Sequence, residues 1–366
     1  MAAEETGKCS EAYPMKGGDG PSNYAKNSIY QKGVIDAAKE LLNKAIAEKL
    51  DMETFSSANS FHIADLGCSV GPNTFFAVEN ILEAVLFKYQ SRGLNCQIPE
   101  FQVFFNDHTS NDFNMLFNSL PQNRQYYAAG VPGSFYGRIL PDASIYFFHS
   151  SISLQWLSRV PKDVTDSNSP AWNKGRIHYL DSTDEVVRAY EAQYAEDMEH
   201  FLHARAQETV HGGLMVQLVL AIPGYPADTP PSHTLANVIY QILGSCLIDM
   251  ARKGVVSEEK IDSFNVPIYY VCPRELEAAV ERNGCFSIEI MEHLPTVMEP
   301  GTISKNSKLF ASHMRAVMEG LFKQHFKEEI LDELFDLFHK KVEEQHSAFE
   351  SGKGVDILIV LKRKAN

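Results

Sequence analysis

The chain has 366 residues, of which 44% are apolar, so it can bury a large core and is not predominantly disordered. Its 47 Asp and Glu residues outnumber 33 Lys and Arg residues, and the formal net charge of -14 excludes broad binding to nucleic acid phosphates. The six cysteines lack zinc spacing, no apolar run approaches the roughly 18 residues of a membrane helix, and no secretory signal is present, which favours a reduced, cytoplasmic protein without a membrane partner.

Helical and strand-like patterns alternate along the first half of the chain. Apolar residues at helical spacing predict a helix over 34–50, and a short buried strand over 61–65 follows it. A glycine-bearing turn then leads to a second helix over 74–89. Two further strands are predicted over 101–105 and 144–149. Strands separated by helices predict a parallel or mixed sheet with helices on both faces.

The second half of the chain combines more strands with long helical stretches. Strands are predicted over 213–222, 286–291 and 356–362, and helices over 235–252 and 308–349. A proline-rich turn after Pro223 precedes the first of these helices. We interpret the two helical stretches as an α-helical cap over one α/β core. The predicted core covers approximately 1–222, 266–300 and 350–366, and the predicted cap covers approximately 223–265 and 301–349.

The strongest local signal is the turn after the first strand, where Gly67 and Gly71 form a G-x-x-x-G pattern before a helix. Glycines allow the backbone to approach a ligand, and the helix offers free N–H groups. The dinucleotide fingerprint G-x-G-x-x-G and the Gly-Lys-Ser/Thr of a P-loop are both absent. Asp107 ends the next strand, where a carboxylate suits a ribose diol. The pattern indicates a nucleoside-containing ligand, with a plain tight turn as the alternative.

Several stretches, in order along the whole chain, resemble the plant family of S-adenosylmethionine-dependent carboxyl and N-methyltransferases that contains salicylate, jasmonate and caffeine-pathway enzymes. The matching stretches include MKGG (15–18), ADLGCSVGPN (64–73), FNDHTSNDF (105–113), GVPGSFYG (130–137), SSISLQWLSRVP (150–161), NKGRIHY (173–179) and DSFNVP (262–267). The similarity is greatest to the loganate-methylating members. The resemblance implies a Rossmann-like methyltransferase sheet with an α-helical cap, S-adenosylmethionine as methyl donor, and a homodimer.

The resemblance assigns one set of residues to the methyl donor. Ser28 is assigned to its amino-acid portion, Asp65 and Asn73 to the pocket wall, Asp107 to the ribose hydroxyls, His108 to the adenine, and Ser134 and Phe135 to the adenosine. Two of these residues have a structural alternative, because Ser28 could instead cap a helix and Phe135 could be a core residue.

A second set of residues is assigned to the acceptor. Lys16, Gln31 and Trp156 match positions close to the reacting group, where a Gln amide and a Trp indole N–H can each donate to one carboxylate oxygen. The further pocket positions are Tyr24, Gln155, Tyr240, Gln241, Ile268, Met314 and Val317. A carboxylic acid with a pKa of about 4 is already anionic at pH 7, so no general base is needed and these residues act by positioning.

Two pocket positions depart from the loganate-methylating members. Gln155 stands where those members carry a histidine, and Ile268 stands where they carry a glutamine. Both changes make the pocket less suited to sugar hydroxyls, so we expect a terpenoid, iridoid or aromatic acid from plant specialised metabolism. The alternatives are N-methylation of a xanthine-like or alkaloid heterocycle and, in another class, a non-catalytic ligand-binding member of the family.

The resemblance also implies a cation site. Asn173, Asp262, Asn265 and the carbonyl of Phe264 match a site found in some family members. All four ligands are oxygen atoms, which suit Mg²⁺ or Ca²⁺ rather than zinc. A hydrogen-bonded clasp between loops is the alternative interpretation of the same residues.

Overall fold

The computed structural model describes residues 13–51, 59–222, 234–297, 302–349 and 355–365. The predicted proline-rich turn after Pro223 lies outside the described residues. The strands are β1 (Ser60–Leu66), β2 (Glu100–Asp107), β3 (Tyr127–Pro132), β4 (Ile145–Ser151), β5 (Thr209–Ala221), β6 (Phe286–His293) and β7 (Val355–Arg363). The helices are α1 (Tyr24–Asn27), α2 (Ile29–Lys49), α3 (Asn73–Ser91), α4 (Phe113–Asn118), α5 (Asp184–Glu208), α6 (Leu235–Arg252), α7 (Glu258–Asp262), α8 (Pro273–Asn283), α9 (Thr302–Lys305), α10 (Ser307–Phe326) and α11 (Leu331–Glu344).

The seven strands of the described chain form one sheet in the order β3-β2-β1-β4-β5-β7-β6. The first five strands in this order run parallel, whereas β7 pairs antiparallel with both β5 and β6. The predicted mixed sheet is therefore confirmed. The order reverses its direction between β1 and β4, and at such a point the carboxyl ends of neighbouring strands open a crevice in which α/β sheets bind ligands.

Helices cover both faces of the sheet, as predicted. On one face α2 and α3 pack with inward residues of β1 and β2 in one apolar cluster. On the other face α5, α8 and the helices of the predicted cap share a second cluster with sheet residues such as Phe148 and Met215. The cap helix α11 also contacts both α6 and α10. No helix in the described ranges combines the length and apolar character needed to cross a membrane.

The structure departs from the predicted elements at one predicted helix and at several elements that were not predicted, among them β3, α5 and α8. The predicted helix over 308–349 is broken at Lys327, which has a φ of 77° and lies between α10 and α11. The break escaped prediction because both helices turn apolar residues to the same core. The edge strand β3 was not predicted, because it is only half-buried and its sequence lacks a clear alternation of apolar and polar residues. The helix α5 was not predicted either, because it buries polar side chains such as Asp197 and Arg205, which weakens the helical period of its apolar residues.

Candidate functional site

The turn between β1 and α3 lies at the crevice. Gly67 has a φ of +81°, which glycine adopts without steric cost, and a Cβ atom there would lie 2.6 Å from Ser153 Cβ. The N–H groups of Gly67 and Cys68 both donate to Asn106 O at 2.9 Å, which ties the turn to β2. Helix α3 begins at Asn73, and the N–H groups of its first turn have no partner within the helix. The turn thus has the close backbone approach and the helix terminus that suit a polar ligand.

Asp107 ends β2 beside this turn, and two backbone groups hold its carboxylate. Ser69 N–H donates to Oδ2 at 2.7 Å, and His108 N–H donates to Oδ1 at 2.7 Å. Burial raises the pKa of Asp107, and these two N–H groups oppose the rise. Each oxygen keeps a lone pair for one more donor, so Asp107 can accept two hydroxyl groups. Burial and the carboxylates of Asp107 and Asp65 raise the pKa of the nearby Tyr24 hydroxyl.

Asp65 occupies the end of β1, but protein groups already engage both of its oxygens. The Thr74 hydroxyl donates to Oδ2, and His149 Nδ1 donates to Oδ1 at 2.6 Å. The side chains of Asp65 and His149 are each 4% exposed. Asp65 therefore supports the turn from beneath, by joining β1 to α3 and β4.

Ser28 and Asn73, both assigned to the donor, are brought together. Asn73 Nδ2 donates to the Ser28 carbonyl at 3.0 Å and to Ser28 Oγ at 2.9 Å. Ser28 lies between α1 and α2 and is the N-cap residue of α2 by position, because its carbonyl accepts from Lys32 N–H at 3.1 Å. Its side chain makes no capping hydrogen bond to α2, so the Ser28 hydroxyl does not act as the cap. The pair joins the start of α2 to the start of α3, at the edge of the glycine turn.

A buried ion pair holds the loop that carries Ser134 and Phe135. Arg205 on α5 donates through Nη1 to Phe135 O at 2.6 Å and through Nη2 to Gly137 O at 2.8 Å. Its Nε donates to Glu208 Oε2 at 2.8 Å, and both side chains are 0% exposed. The position of the predicted adenosine-binding loop therefore depends on a charge pair that water does not reach.

The Phe135 ring extends from the core to the glycine turn. Its Cε1 atom lies 3.8 Å from the position that a Cβ of Gly67 would take. On the other side its centroid lies 6.0 Å from that of Phe201 in an edge-to-face contact. Phe135 is thus a core residue whose outer edge borders the turn.

Buried polar atoms without a hydrogen-bond partner among the described residues gather at this end of the sheet. They include Gln31 Oε1, Ser69 Oγ, Asn106 Oδ1, Asn111 Oδ1, Ser150 Oγ, Ser151 Oγ, Gln155 Oε1 and both amide atoms of Gln217. Buried polar groups in proteins nearly always have a partner. A ligand rich in hydroxyl, amine and carboxylate groups, as a nucleoside joined to an amino acid is, fits this set of donors and acceptors.

Three acceptor residues from distant parts of the sequence meet in one backbone ladder. Trp156 and Ile268 form an antiparallel bridge. Next to this bridge, Tyr269 N–H donates to Gln155 O at 2.8 Å and Leu157 N–H donates to Pro267 O at 2.8 Å. The structure therefore brings Gln155, Trp156 and Ile268 together, as the resemblance implies.

Lys16 lies against α10, and its charge is paired. Its Nζ lies 2.7 Å from Glu319 Oε2 on α10, and Arg315 Nε contacts the same oxygen at 2.7 Å. The Lys16 backbone also donates to Ala316 O and accepts from Tyr24 N–H. This segment is therefore fastened to the cap helix that carries Met314, which is buried, and Val317, which is half-buried.

Tyr240 and Gln241 are neighbours on α6 that point in different directions. The buried Tyr240 hydroxyl pairs with the Tyr270 hydroxyl at 2.9 Å. Gln241 is exposed and donates to Asp181 Oδ2 at 3.2 Å. Successive helix residues differ by about 100° in direction, so only one of the two can face inward. The structure does not bring Gln241 together with the other assigned pocket residues.

The residues of the expected cation site form a hydrogen-bonded junction. Asn173 Nδ2 donates to Asn265 Oδ1 at 2.6 Å, and Gly175 N–H donates to Asp262 Oδ1 at 2.8 Å. Asn265 Nδ2 is a buried donor without a partner in the described chain, which suits an acceptor rather than a cation. No group of three or more His, Cys, Asp or Glu side chains in the described ranges could hold a metal. This geometry does not fit a preformed cation site.

Three buried ionisable residues support the site but were not assigned a role from the sequence: His149, His178 and Arg205. His149 joins Asp65, Arg205 holds the Phe135 loop, and His178 contacts Ile268 and Tyr240. An ionisable side chain inside an apolar run, as in the stretch SIYFFH, was the available signal.

Comparisons with known proteins agree with this arrangement. A family model described as SAM dependent carboxyl methyltransferase matches residues 10–364. The chain is 49% identical over 364 residues to loganic acid O-methyltransferase of Catharanthus roseus, covering 97% of this chain and 95% of that protein. It is 38% identical over 352 residues to paraxanthine methyltransferase 2 of Arabidopsis thaliana, covering 95% and 98%.

A solved structure, loganic acid methyltransferase with SAH, has the same fold. It matches with a TM-score of 0.89 and 48% identity, over 96% of this chain and 99% of that chain. The predicted Rossmann-like methyltransferase fold is confirmed by this match. With a family model that spans nearly its whole length and relatives of this identity, the chain belongs to the SAM-dependent carboxyl methyltransferase family.

Proposed function

We propose that the protein transfers the methyl group of S-adenosylmethionine to the carboxylate of a small plant acid of the terpenoid, iridoid or aromatic class. The observation that carries this proposal is the contact between the two assigned sites. Ser153, two residues before Gln155, packs against Gly67 of the donor turn. The ladder that holds Trp156 and Ile268 therefore begins at the wall of the assigned donor site.

The work of the protein in this reaction is alignment. A bound sulfonium donor supplies an activated methyl group, and the acid is already anionic at neutral pH. The Gln31 amide and the Trp156 indole N–H would hold one carboxylate oxygen and leave the other facing the donor. Lys16 is paired with Glu319, so neutral donors rather than a free ammonium group orient the acid. Proximity and orientation can contribute about 7–11 kcal/mol to such a step.

N-methylation of a heterocycle is the second candidate, and the similarity to paraxanthine methyltransferase 2 favours it. In that reaction the same residues would orient a ring nitrogen. A non-catalytic family member is the third candidate. Nothing in its function would require the segment that carries Trp156 to pack against the donor turn, as Ser153 does against Gly67.

Incubation with methyl-labelled S-adenosylmethionine separates these candidates. The panel comprises loganic, salicylic and jasmonic acids and paraxanthine. We expect label on an acid that mild base releases, because methyl esters hydrolyse and N-methyl groups do not. Base-stable label on paraxanthine would instead establish the N-methyltransferase. SAH binding without transfer to any of these compounds would refute the proposed acceptor classes.

A pair of tryptophan variants tests the role given to Trp156. Trp156→Phe removes the indole N–H, and we expect kcat/KM for the methylated acid to fall about tenfold or more, which corresponds to one hydrogen bond to a charged group. Trp172→Phe changes the other tryptophan of the chain and serves as the control, expected to stay within about twofold. An unchanged kcat/KM in Trp156→Phe would contradict the assignment.

The homodimer rests on the resemblance, and the cytoplasmic location rests on the cysteine pattern and the lack of a secretory signal; both stay proposals. The magnesium that the resemblance implies does not fit the hydrogen-bonded junction as a preformed site. For magnesium, the hydrogen-bonded junction leads us to expect that EDTA shifts the thermal midpoint by less than about 1 °C, because a ligand stabilises a fold only in proportion to its binding. A midpoint that rises with MgCl₂, and no longer rises in Asp262→Asn, would establish the cation site. Light scattering and a fluorescent fusion would test the assembly and the location.

A further inference from the structure

His178 lies where several parts of the proposed acceptor pocket meet. Its side chain is buried, and Nε2 lies 2.9 Å from the carbonyl oxygen of Ile268. Its ring stacks on Tyr240 with a centroid distance of 4.0 Å and an interplanar angle of 22°. One imidazole therefore contacts two residues of the pocket that come from separate segments of the chain.

The hydrogen bonds around His178 define its protonation state. Leu180 N–H donates to Nδ1 at 3.4 Å, so Nδ1 carries the lone pair and Nε2 carries the proton. Burial lowers the pKa of His178 to about 3. The ring is thus neutral at any pH near neutrality, and Nε2–H donates to Ile268 O.

The contact with Ile268 extends to the residues beside the reacting group. Ile268 bridges Trp156, and the adjacent Tyr269 N–H donates to Gln155 O at 2.8 Å. Fixing the Ile268 carbonyl therefore fixes the register between the 267–269 segment and the 155–157 segment that carries Trp156. His178 is itself anchored, because its carbonyl accepts from Asn173 Nδ2 at 3.1 Å and from Ser182 Oγ at 3.0 Å.

The stacking contact holds the other side of the pocket. Tyr240 belongs to α6, and its hydroxyl pairs with Tyr270 at 2.9 Å. Tyr270 N–H in turn donates to the Tyr179 hydroxyl at 3.1 Å. The cap helix and the 268–270 segment are therefore joined through aromatic residues that pack around His178.

We propose that His178 is a positioning residue for the acceptor, whose Nε2–H holds Ile268 and whose ring holds Tyr240 at the spacing that a bound acid needs. The proposal rests on the acceptor pocket of the proposed function. His178 takes no part in proton transfer, because both nitrogens are engaged within the protein. Loss of the His178 side chain should raise KM for the acid and leave the affinity for the methyl donor unchanged.

Two substitutions separate the hydrogen bond from the packing. His178→Met keeps a side chain of similar length without a donor, and His178→Gln keeps an N–H at a comparable distance from the backbone. His203→Met is the matched control, because His203 is exposed on α5 and contacts Gln207. All are made in a Trp172→Phe background, so that Trp156 is the only tryptophan and its fluorescence reports on the ladder.

In His178→Met we expect KM for the best acid of the panel to rise about tenfold, as for one lost hydrogen bond, while KM for S-adenosylmethionine stays within about twofold. Acrylamide quenching of Trp156 should increase measurably. His178→Gln should bring both the KM for the acid and the quenching of Trp156 most of the way back to the parent values. His203→Met should match the parent in both measurements. An unchanged acceptor KM and unchanged quenching in His178→Met would overturn the proposal. So would a rise in both KM values together, or a His178→Gln variant as impaired as His178→Met.

Two measurements keep the proposal falsifiable if an assay fails. If no acid accepts label, the proposed acceptor class fails, and Trp156 quenching still decides whether His178 sets the ladder. If His178→Met does not fold, ¹⁵N-histidine NMR of the unsubstituted protein decides. A neutral Nε2–H tautomer that persists from pH 8 to pH 5 supports the proposal, and an Nδ1–H or protonated ring over that range refutes it.

Discussion

Asp107→Ala should lower the affinity for SAH at least tenfold, which corresponds to about 1.4 kcal/mol. In the native protein each Asp107 oxygen accepts one backbone N–H and can accept one ribose hydroxyl. The substitution removes the acceptor for both hydroxyls, and a hydrogen bond to a charged group contributes about 1.5–3 kcal/mol. It also releases Ser69 N–H, which loosens the turn. Isothermal titration with SAH measures the effect directly.

Asp112→Ala is the matched control for this experiment. Asp112 lies five residues later, and its carboxylate accepts Met115 N–H at 2.9 Å at the start of α4. The substitution removes a carboxylate that caps a backbone N–H but is not assigned to the donor. We expect a lower thermal midpoint with SAH affinity within about threefold, because the lost cap costs about 1 kcal/mol of folding free energy. A folded Asp107→Ala protein with native SAH affinity would refute the ribose assignment.

Arg205→Met should destabilise the fold more than Asp112→Ala does, because it leaves the Glu208 carboxylate buried without its counterion. Removing one partner of a buried pair typically costs about 3–5 kcal/mol. With an unfolding entropy of about 2 cal/mol/K per residue, this corresponds to a fall in thermal midpoint of roughly 4–7 °C for 366 residues. SAH affinity should fall as well, since Arg205 holds the carbonyls of Phe135 and Gly137. Calorimetry and SAH titration measure the two effects.

Arg188→Met gives the comparison, since Arg188 and Glu185 also form an i,i+3 pair on α5 but are 63% and 45% exposed. Water and salt screen an exposed pair, so the midpoint should hardly move. Adding Glu208→Gln to Arg205→Met should restore part of the stability, because the amide oxygen can still accept from Ile139 N–H and Leu140 N–H without a buried charge. Equal midpoints for Arg205→Met and Arg188→Met would contradict the role of the buried pair.

The elements that sequence predicted well are those whose period comes from burial of an apolar face. The strand at Ser60–Leu66 and the helix at Leu235–Arg252 have such a period, and both were predicted within one or two residues. The helix α5 has a weaker period, because Arg205 and Glu208 satisfy each other inside the core. A local pattern cannot show that two charged residues will be paired in the interior.

The candidate site also has a part that local sequence predicted and a part that it could not predict. The glycine turn and Asp107 could be predicted, because a strand end, a turn and a helix start follow one another in sequence. The ladder between Trp156 and Ile268 could not be derived from local pattern, since its two segments are separated by more than a hundred residues. Only the resemblance placed them together. For Lys16 and Gln241, the structure adds the partners Glu319 and Asp181, which neither pattern nor resemblance indicated.

The sequence by itself determined the α/β class, the glycine turn with its acidic strand end and the net negative charge, because these depend on composition and on neighbours along the chain. The tertiary structure decided which polar groups remain available to a ligand. Asp65 and Asp107 each accept one hydrogen bond per carboxylate oxygen, but Asp65 is buried whereas Asp107 is half-buried, so only Asp107 can present its remaining lone pairs to a ligand. Both are carboxylates at strand ends, and only the fold distinguishes them, because burial is set by proximity in space.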